Sequence, residues 1–369
     1  MPSSSPKPTR LASLDVFRGM TIAGMILVNN PGGGHSYGPL RHAEWNGCTA
    51  TDLVFPFFVF IVGVAVTLSL TKRSADTAGR KTITKHILRR TLIIFGLGLL
   101  ISGFPFFPLS SFRIPGVLQR IAVVYLCASL IHLRTGVRAQ AALAVFFIAL
   151  YWALLKFVPV PGYGAGVLER EGNLVACIDN LIMRGHLYKP AWDPEGILST
   201  IPAISSALLG MLAGHWLRSP ARPGGKTLGL LLGGAVSAGA GLVLNNWFPI
   251  NKNLWSSSYV LFSGGLAAAF LGACYWVVDV WRGRGLARIL TSPFLVFGMN
   301  AIVSYVGSSA GYLFMTPEIN GVSLKSLLTG AYTSLAGPPG GSLLYSLTYV
   351  LLWLGIMTIF YRKKIFVKI

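Results

Sequence analysis

Apolar stretches of roughly 20 residues, each long enough to cross about 30 Å of hydrocarbon, recur from one end of this 369-residue sequence to the other. Short polar breaks separate them. The spans read as 15–30, 52–71, 87–104, 116–133, 139–158, 197–217, 227–247, 255–279, 290–314 and 342–361. In lipid a spanning segment must satisfy its backbone polar groups itself, so helices are the natural solution for runs of this length. The expected fold class is all-α, a polytopic integral membrane bundle of about ten transmembrane helices. With 53% hydrophobic and only 11% charged residues, the chain cannot cover itself with a wet surface. A single membrane domain over 1–369 is expected, with 1–14 as a short cytoplasmic tail. The first apolar run carries Asp15 and Arg18 and lacks a cleavage pattern, so it is expected to remain as helix 1.

A net charge of +20 would point to nucleic acid in a soluble protein, but here the cations follow the helix parity. Lys7, Arg10 and Arg18 open the chain, Lys72, Arg73, Lys81 and Lys85 follow helix 2, and Arg134 and Arg138 follow helix 4. Arg218 and Arg222, then Arg282 and Arg284, and finally Arg362, Lys363, Lys364 and Lys368 complete the series. The long odd-numbered breaks hold few cations. By the positive-inside rule both termini are cytoplasmic, and the basic excess is a topology and lipid-headgroup signal with no nucleic-acid partner implied. Acidic residues lean the other way: Glu44, Asp52, Asp179, Asp193 and Glu195 all fall on the outer side.

The outer breaks are therefore where chemistry is expected. The first contains a glycine run and then HAEWNGCTATD, which brings His42, Glu44, Trp45, Asn46 and Asp52 together. An imidazole beside a carboxylate is the skeleton of a general base, although a lone loop histidine can equally be solvated or structural. The third outer break, the longest, ends in AWDPEG, and the fourth reads FPINKNLWS, with Asn251, Lys252 and Asn253 just before helix 8. Gln119 and Arg120 lie early in helix 4 and Asn300 within helix 9. Polar groups at such depth need partners, either a ligand or another helix. His35 and His42 have no metal-ligand spacing, so no metal is expected. Cys48 and Cys177, both on the outer side, are placed where they could pair.

RLASLDVFRGMTIAGMILVNNPGGG and HAEWNGCTATDLVFPFFVFIVG, followed in order by FRIPGVLQR, AWDPEGIL, PINKNLWSSSYV, FGMNAIVSYVG and YRKKIFVKI, resemble the heparan-α-glucosaminide N-acetyltransferase family of transmembrane acyltransferases. The resemblance runs from residue 10 to 369. It implies an enzyme that takes acetyl from cytosolic acetyl-CoA and delivers it to a glucosamine amine across the membrane, and it suggests a homodimer. The histidine of the family's H-A-x-W-N-G motif is His42 here, and the asparagine ahead of the glycine run matches Asn29, with Asn30 the neighbouring choice because the glycine loop is longer. Ser308 stands where lysosomal members carry a histidine.

On this reading His42 is the base or acetyl carrier, Asp52 orients it, and Asn29 donates to the oxyanion. Arg113, Gln119, Arg120, Arg18, Asn300, Lys363 and Lys364 are the expected acetyl-CoA contacts. Glu44, Trp45, Asp193, Glu195, Asn251, Lys252, Asn253 and Trp255 are the expected amino-sugar contacts, the two tryptophans as stacking faces. The natural setting would be a bacterial inner membrane with the site toward the periplasm. An O-acyltransferase for an envelope polysaccharide and a sugar or anion transporter are the rival readings.

Overall fold

The structure, a computed structural model, describes residues 11–71, 79–104, 111–281, 285–319 and 321–367. Lys7, Arg10, Lys72, Arg73, Arg282, Arg284 and Lys368 of the charge pattern lie outside these residues. Twelve α-helices are present among the described residues, besides a 3-10 turn at Gly38–Leu40 and a π-helical turn at Trp276–Val280: α1 (Ala12–Asn29), α2 (Ala50–Leu70), α3 (Gly79–Gly103), α4 (Val117–Arg134), α5 (Val137–Phe157) and α6 (Leu174–Met183), followed by α7 (Thr200–Arg218), α8 (Pro223–Leu244), α9 (Ser257–Tyr275), α10 (Leu286–Met299), α11 (Ala301–Met315) and α12 (Leu324–Arg362). A two-residue hairpin, Glu318–Ile319 with Val322–Ser323, precedes α12.

Eight of these helices are long and apolar enough to cross a membrane: α2, α3, α4, α5, α7, α8, α9 and α12. The ninth expected span, 290–314, is not one helix. It is broken at Asn300 into α10 and α11, which bend by 81°. Asn300 leaves helical geometry, and its side chain donates to the Ile365 carbonyl at 2.9 Å and accepts from the Val367 N–H at 3.0 Å. The first expected span, 15–30, is α1, which is not among those eight; it carries Asp15 and Arg18, which pair within the helix at 2.9 Å. It is nonetheless enclosed by α2, α9, α10 and α12. The long α12 is itself two arms joined at Gly337, which takes φ 70° ahead of Pro338 and Pro339, so only its second arm matches the expected span.

The bundle is held as helices in lipid are held, by close backbone approach at small residues. A Cβ on Gly63 of α2 would fall on the Ala207 carbonyl of α7, and one on Gly210 would fall on the Phe60 carbonyl in return. The small-residue run of α8 packs in the same way on α9, through Gly234 and Gly241. Outward faces remain apolar: Leu92, Val145, Val236 and Leu351 are all exposed, as a hydrocarbon solvent permits.

Three loops knit into a cap on one face. Gly47 pairs with Asn251 as an isolated β-bridge, the Trp45 indole donates to the Leu168 carbonyl at 2.9 Å, and Arg170 donates to the Glu44 carbonyl at 2.7 Å. At the opposite face the start of α1 meets the π-helical turn Trp276–Val280 that continues α9, where Ser13 N–H donates to Asp279 at 3.1 Å. The segment after α12 returns there to Asn300.

Candidate active site

The chain enters α2 through a capping box: the Thr49 N–H donates to Asp52 Oδ2 at 3.1 Å, and the Thr49 hydroxyl, also 3.1 Å from that oxygen, shares its one proton with the Arg41 carbonyl at 2.7 Å. The Ala43 N–H adds a third donor to the same oxygen at 3.0 Å. The other carboxylate oxygen, Oδ1, lies 2.6 Å from His42 Nδ1. One buried carboxylate, 1% exposed, thus starts a helix and orients a histidine. Pro56 sits one turn on and has no N–H for the Asp52 carbonyl, and the Tyr259 hydroxyl takes that role at 2.5 Å. Tyr259 is fully buried, so α9 fixes this turn of α2 from behind.

An ionised carboxylate only accepts, so the Asp52 contact places the ring proton on Nδ1. Nε2 is then the nitrogen left to accept one. His42 lines a cavity of about 590 Å³. Its mouth is polar, with Asn29, Glu44, Arg113, Glu195, Lys252 and Asn253, and Tyr188 and Trp192 provide aromatic surface. Its throat is apolar, with Met25, Val54, Phe58, Leu118, Ile121 and Tyr305.

Lys252 closes the charge arrangement. Its Nζ lies 3.1 Å from His42 Nδ1 and 3.6 Å from Asp52 Oδ1. With Nδ1 donating to Asp52, the ammonium is a neighbouring cation of the ring and no donor to it. Burial pulls the Lys252 ammonium below the ordinary lysine value, while Glu195 and Asp52 favour its charged form. Cys48 is no rival nucleophile: burial, and then the Asp52 charge, push its thiol up to about 12.

Across the mouth, Arg113 grips Asp193 with two donors, at 2.8 and 2.6 Å, and reaches Glu195 as well. Burial opposes the Arg113 charge, but the two carboxylates outweigh it and hold the guanidinium above its ordinary value. Asp193 also accepts from the N–H groups of Tyr188 and Glu195 at 2.7 and 2.8 Å. That carboxylate is spent on the loop, whereas Glu195 lines the cavity.

The profile of the family described as heparan-alpha-glucosaminide N-acetyltransferase, catalytic, matches residues 10–229, more than half of the chain. The chain belongs to this family. It is 32% identical to the heparan-alpha-glucosaminide N-acetyltransferase of Homo sapiens over 99% of its own length, and 31% identical to that of Mus musculus over 98%. It spans 61% and 60% of the length of those two relatives.

Among the asparagines at the glycine run of this heparan-alpha-glucosaminide N-acetyltransferase family member, Asn29 lines the cavity. Asn30 is buried and turns back to the Ile26 carbonyl at 2.8 Å. Other expected contacts are drawn into packing. Trp255 is fully buried against Phe55, Tyr259 and Ser206 Oγ, and Trp45 is clasped by Leu168 and Trp192, so neither offers a free stacking face. Asn251 is fully buried, donating to Asn46 Oδ1 at 3.0 Å and accepting from Leu254 N–H at 2.9 Å; it holds two loops in register. Gln119 packs toward Gly98 and Ser102 on α3.

Arg120 is also absent from the cavity lining. It donates to the Gly196 carbonyl at 2.9 Å and to Ser199 Oγ, with its guanidinium 5.1 Å from the Trp255 ring centre. Asp179 grips the same loop by accepting from Ile197 N–H at 2.8 Å. Burial pushes the Asp179 carboxyl up to about 6 against the opposing pull of that hydrogen bond and of Arg120. This pair anchors the peptide that follows Glu195.

Arg18, Asn300, Lys363 and Lys364 gather at the opposite face, not with His42. Arg18 donates to Gly298 O at 3.4 Å, while Lys363 and Lys364 are exposed. Asn300, 1% exposed, is committed to the segment after α12. All four cysteines are free, with Cys48 and Cys177 packed against different core clusters, so the pairing considered for these two is not formed.

Sequence reasoning overlooked Tyr188, Trp192 and Tyr305 in the lining and Tyr259 behind Asp52. Trp192 had a signal, since it directly precedes the DPEG turn, and Tyr188 lies five residues before that turn in the same outer break. Tyr305 and Tyr259 had none, because an aromatic in a membrane helix reads as lipid-facing or core. The Thr49-x-x-Asp52 spacing carried a further signal that went unread, since it is that of a capping box.

Proposed function

We propose that the protein is a transmembrane N-acetyltransferase that moves acetyl from cytosolic acetyl-CoA to the amine of a glucosamine-type sugar at the His42 face. The observation that carries this reading is the His42–Asp52 pair, with Nε2 free, at the polar mouth of a cavity with an apolar throat. An apolar throat suits a thioester arm and excludes water from it, and a polar mouth suits a sugar.

The amine nitrogen attacks the thioester carbonyl carbon as His42 Nε2 removes its proton. The Asn29 amide donates to the oxygen as it becomes negative. The C–S bond then breaks, and the proton held on Nε2 passes to the departing thiolate. Tyr188, Trp192, Glu44, Glu195 and Asn253 surround the sugar. The positive-inside pattern puts this face outside and the α1 start inside, so the donor would enter from the face where Arg18, Lys363 and Lys364 sit. Were transfer to run in two steps, the same Nε2 would carry the acetyl group, and rapid quench after acetyl-CoA alone would reveal acetyl-His42.

The test is transfer of labelled acetyl from acetyl-CoA to glucosamine by detergent-purified protein, wild type beside His42→Ala, with CoA binding measured in both. Activity that disappears in a variant still able to bind CoA supports the reading. A wild type that binds CoA but acetylates only hydroxyl acceptors refutes the N-acetyl assignment, and failure to bind CoA refutes acetyl transfer altogether.

A further inference from the structure

A base that accepts a proton in each turnover must begin the turnover without one. Asp52 by itself works against that, because a carboxylate 2.6 Å from the ring stabilises imidazolium. The buried carboxylate cannot be displaced from this position, since three donors on its other oxygen and the capping role hold it. Something must offset its charge. The group in place is Lys252, which enters from the loop between α8 and α9 and stops 3.1 Å from Nδ1 and 3.6 Å from Asp52.

We propose that Lys252 is a positioning residue for the base: its ammonium balances Asp52 and keeps His42 in the neutral, Nδ1–H form that can accept a proton on Nε2. This inference rests on the reading of His42 as the base. It moves Lys252 from a sugar contact to a member of a three-residue charge arrangement.

Two structural features support it. The loop that carries Lys252 is built to hold it still: Asn251 is fully buried and bonded to Asn46, Gly47 N–H donates to Ile250 O at 2.7 Å, and Trp255 is locked into the core. Lys252 therefore leaves a rigid hairpin that is pinned directly to the His42 loop. Its side chain is only 17% exposed and faces the buried Asp52 carboxylate, while the His42 ring beside it is half exposed.

Other charged and titratable groups also face this region. Glu44 comes from the His42 loop itself, Cys48 from the approach to α2, Tyr259 from α9 and Tyr305 from α11. Arg113, Lys189 and Glu195 come from the opposite wall, where Arg113 is neutralised by Asp193 and Glu195. Replacing Lys252 leaves all of these in place, so a difference between variants reports the one ammonium.

The experiment uses the full chain in detergent with ring-labelled histidine, the His42 resonance being identified by its loss in His42→Gln. Its titration is followed by NMR in wild type, Lys252→Met, Lys252→Arg and Asp52→Asn, beside the pH dependence of kcat/KM for acetyl transfer. A like charge this close disfavours the charged ring and so lowers its proton affinity. Lys252→Met should therefore move the His42 midpoint and the acid limb of the rate profile to higher pH. Lys252→Arg should leave both near wild type, and Asp52→Asn should move the midpoint the other way. A midpoint that is unchanged, or lowered, in folded Lys252→Met overturns the proposal. The NMR titration needs no turnover, so an inactive wild type would sink the acetyl-transfer reading while the role of Lys252 is still decided by the midpoints.

Discussion

Asp52→Asn separates the two duties of one carboxylate. In the wild type Oδ2 takes three donors, from Ala43 N–H, Thr49 N–H and the Thr49 hydroxyl, while Oδ1 faces His42 Nδ1. An amide has one oxygen and one NH₂. The oxygen must take the crowded site, because the NH₂ there would meet three donors, so the NH₂ turns to His42. Nδ1 then has to accept, and the ring proton moves to Nε2, where it blocks the base.

The expected loss in kcat/KM is the contribution of general-base catalysis, about 10²- to 10⁴-fold, which is about 3–5 kcal/mol of barrier. Folding should barely change, since all three capping contacts survive. Asp52→Ala is the contrast. It removes the cap, worth about 0.5–2 kcal/mol, and leaves two part-buried backbone donors, Ala43 N–H and Thr49 N–H, without their acceptor, at up to about 1–3 kcal/mol each. Thermal unfolding in detergent, CoA binding and labelled acetyl transfer should therefore show Asp52→Asn folded, CoA-competent and nearly inactive, and Asp52→Ala unstable. If Asp52→Asn is folded yet keeps kcat/KM within about threefold of wild type, the tautomer argument fails.

Three further outcomes follow from the geometry. Asp179 is pushed up to about 6 from 3.8, so it contributes stability that is fully present below about pH 4 and lost as pH rises through 6. At about 1.4 kcal/mol per unit that is about 3 kcal/mol, and the decline in Tm from pH 4 to 7 should be shallower in Asp179→Asn; parallel curves would refute the assignment. Gly63→Ala drives a methyl into the Ala207 carbonyl and should cost about 1–3 kcal/mol or more in detergent unfolding, with an unchanged Tm as the contrary result. Asn300→Ala removes both hydrogen bonds to the segment after α12, at about 1–3 kcal/mol, so trypsin should cut at Lys363 and Lys364 faster than in wild type; equal rates would mean the segment is held by something else.

How far the sequence could be read depended on the range of the interaction. Helices that must satisfy their own backbone in lipid are legible from composition and length alone, and the apolar runs matched α2 to α5, α7 to α9 and the second arm of α12 closely. The run over 290–314 misled, because its apolar residues carry no mark of the 81° bend; the cause is a pair of hydrogen bonds to residues 65 and 67 positions away. Local order also gave away His42 and Asp52, which lie ten residues apart across a capping box.

What a sequence by itself determined here is therefore what neighbours along the chain and the bilayer decide together: apolar helices long enough to span, and a histidine placed beside a carboxylate. Only the tertiary structure decided which polar residues meet. Of the adjacent Asn29 and Asn30, only Asn29 lines the His42 cavity, while Asn30 turns back on its own helix; Trp255 and Arg120, both conspicuous in the chain, are locked into one another. Lys252 reaches His42 across 210 positions. The physical reason is that an ion pair depends on distance in space, and in a bundle that distance is set by which helices pack at their small residues.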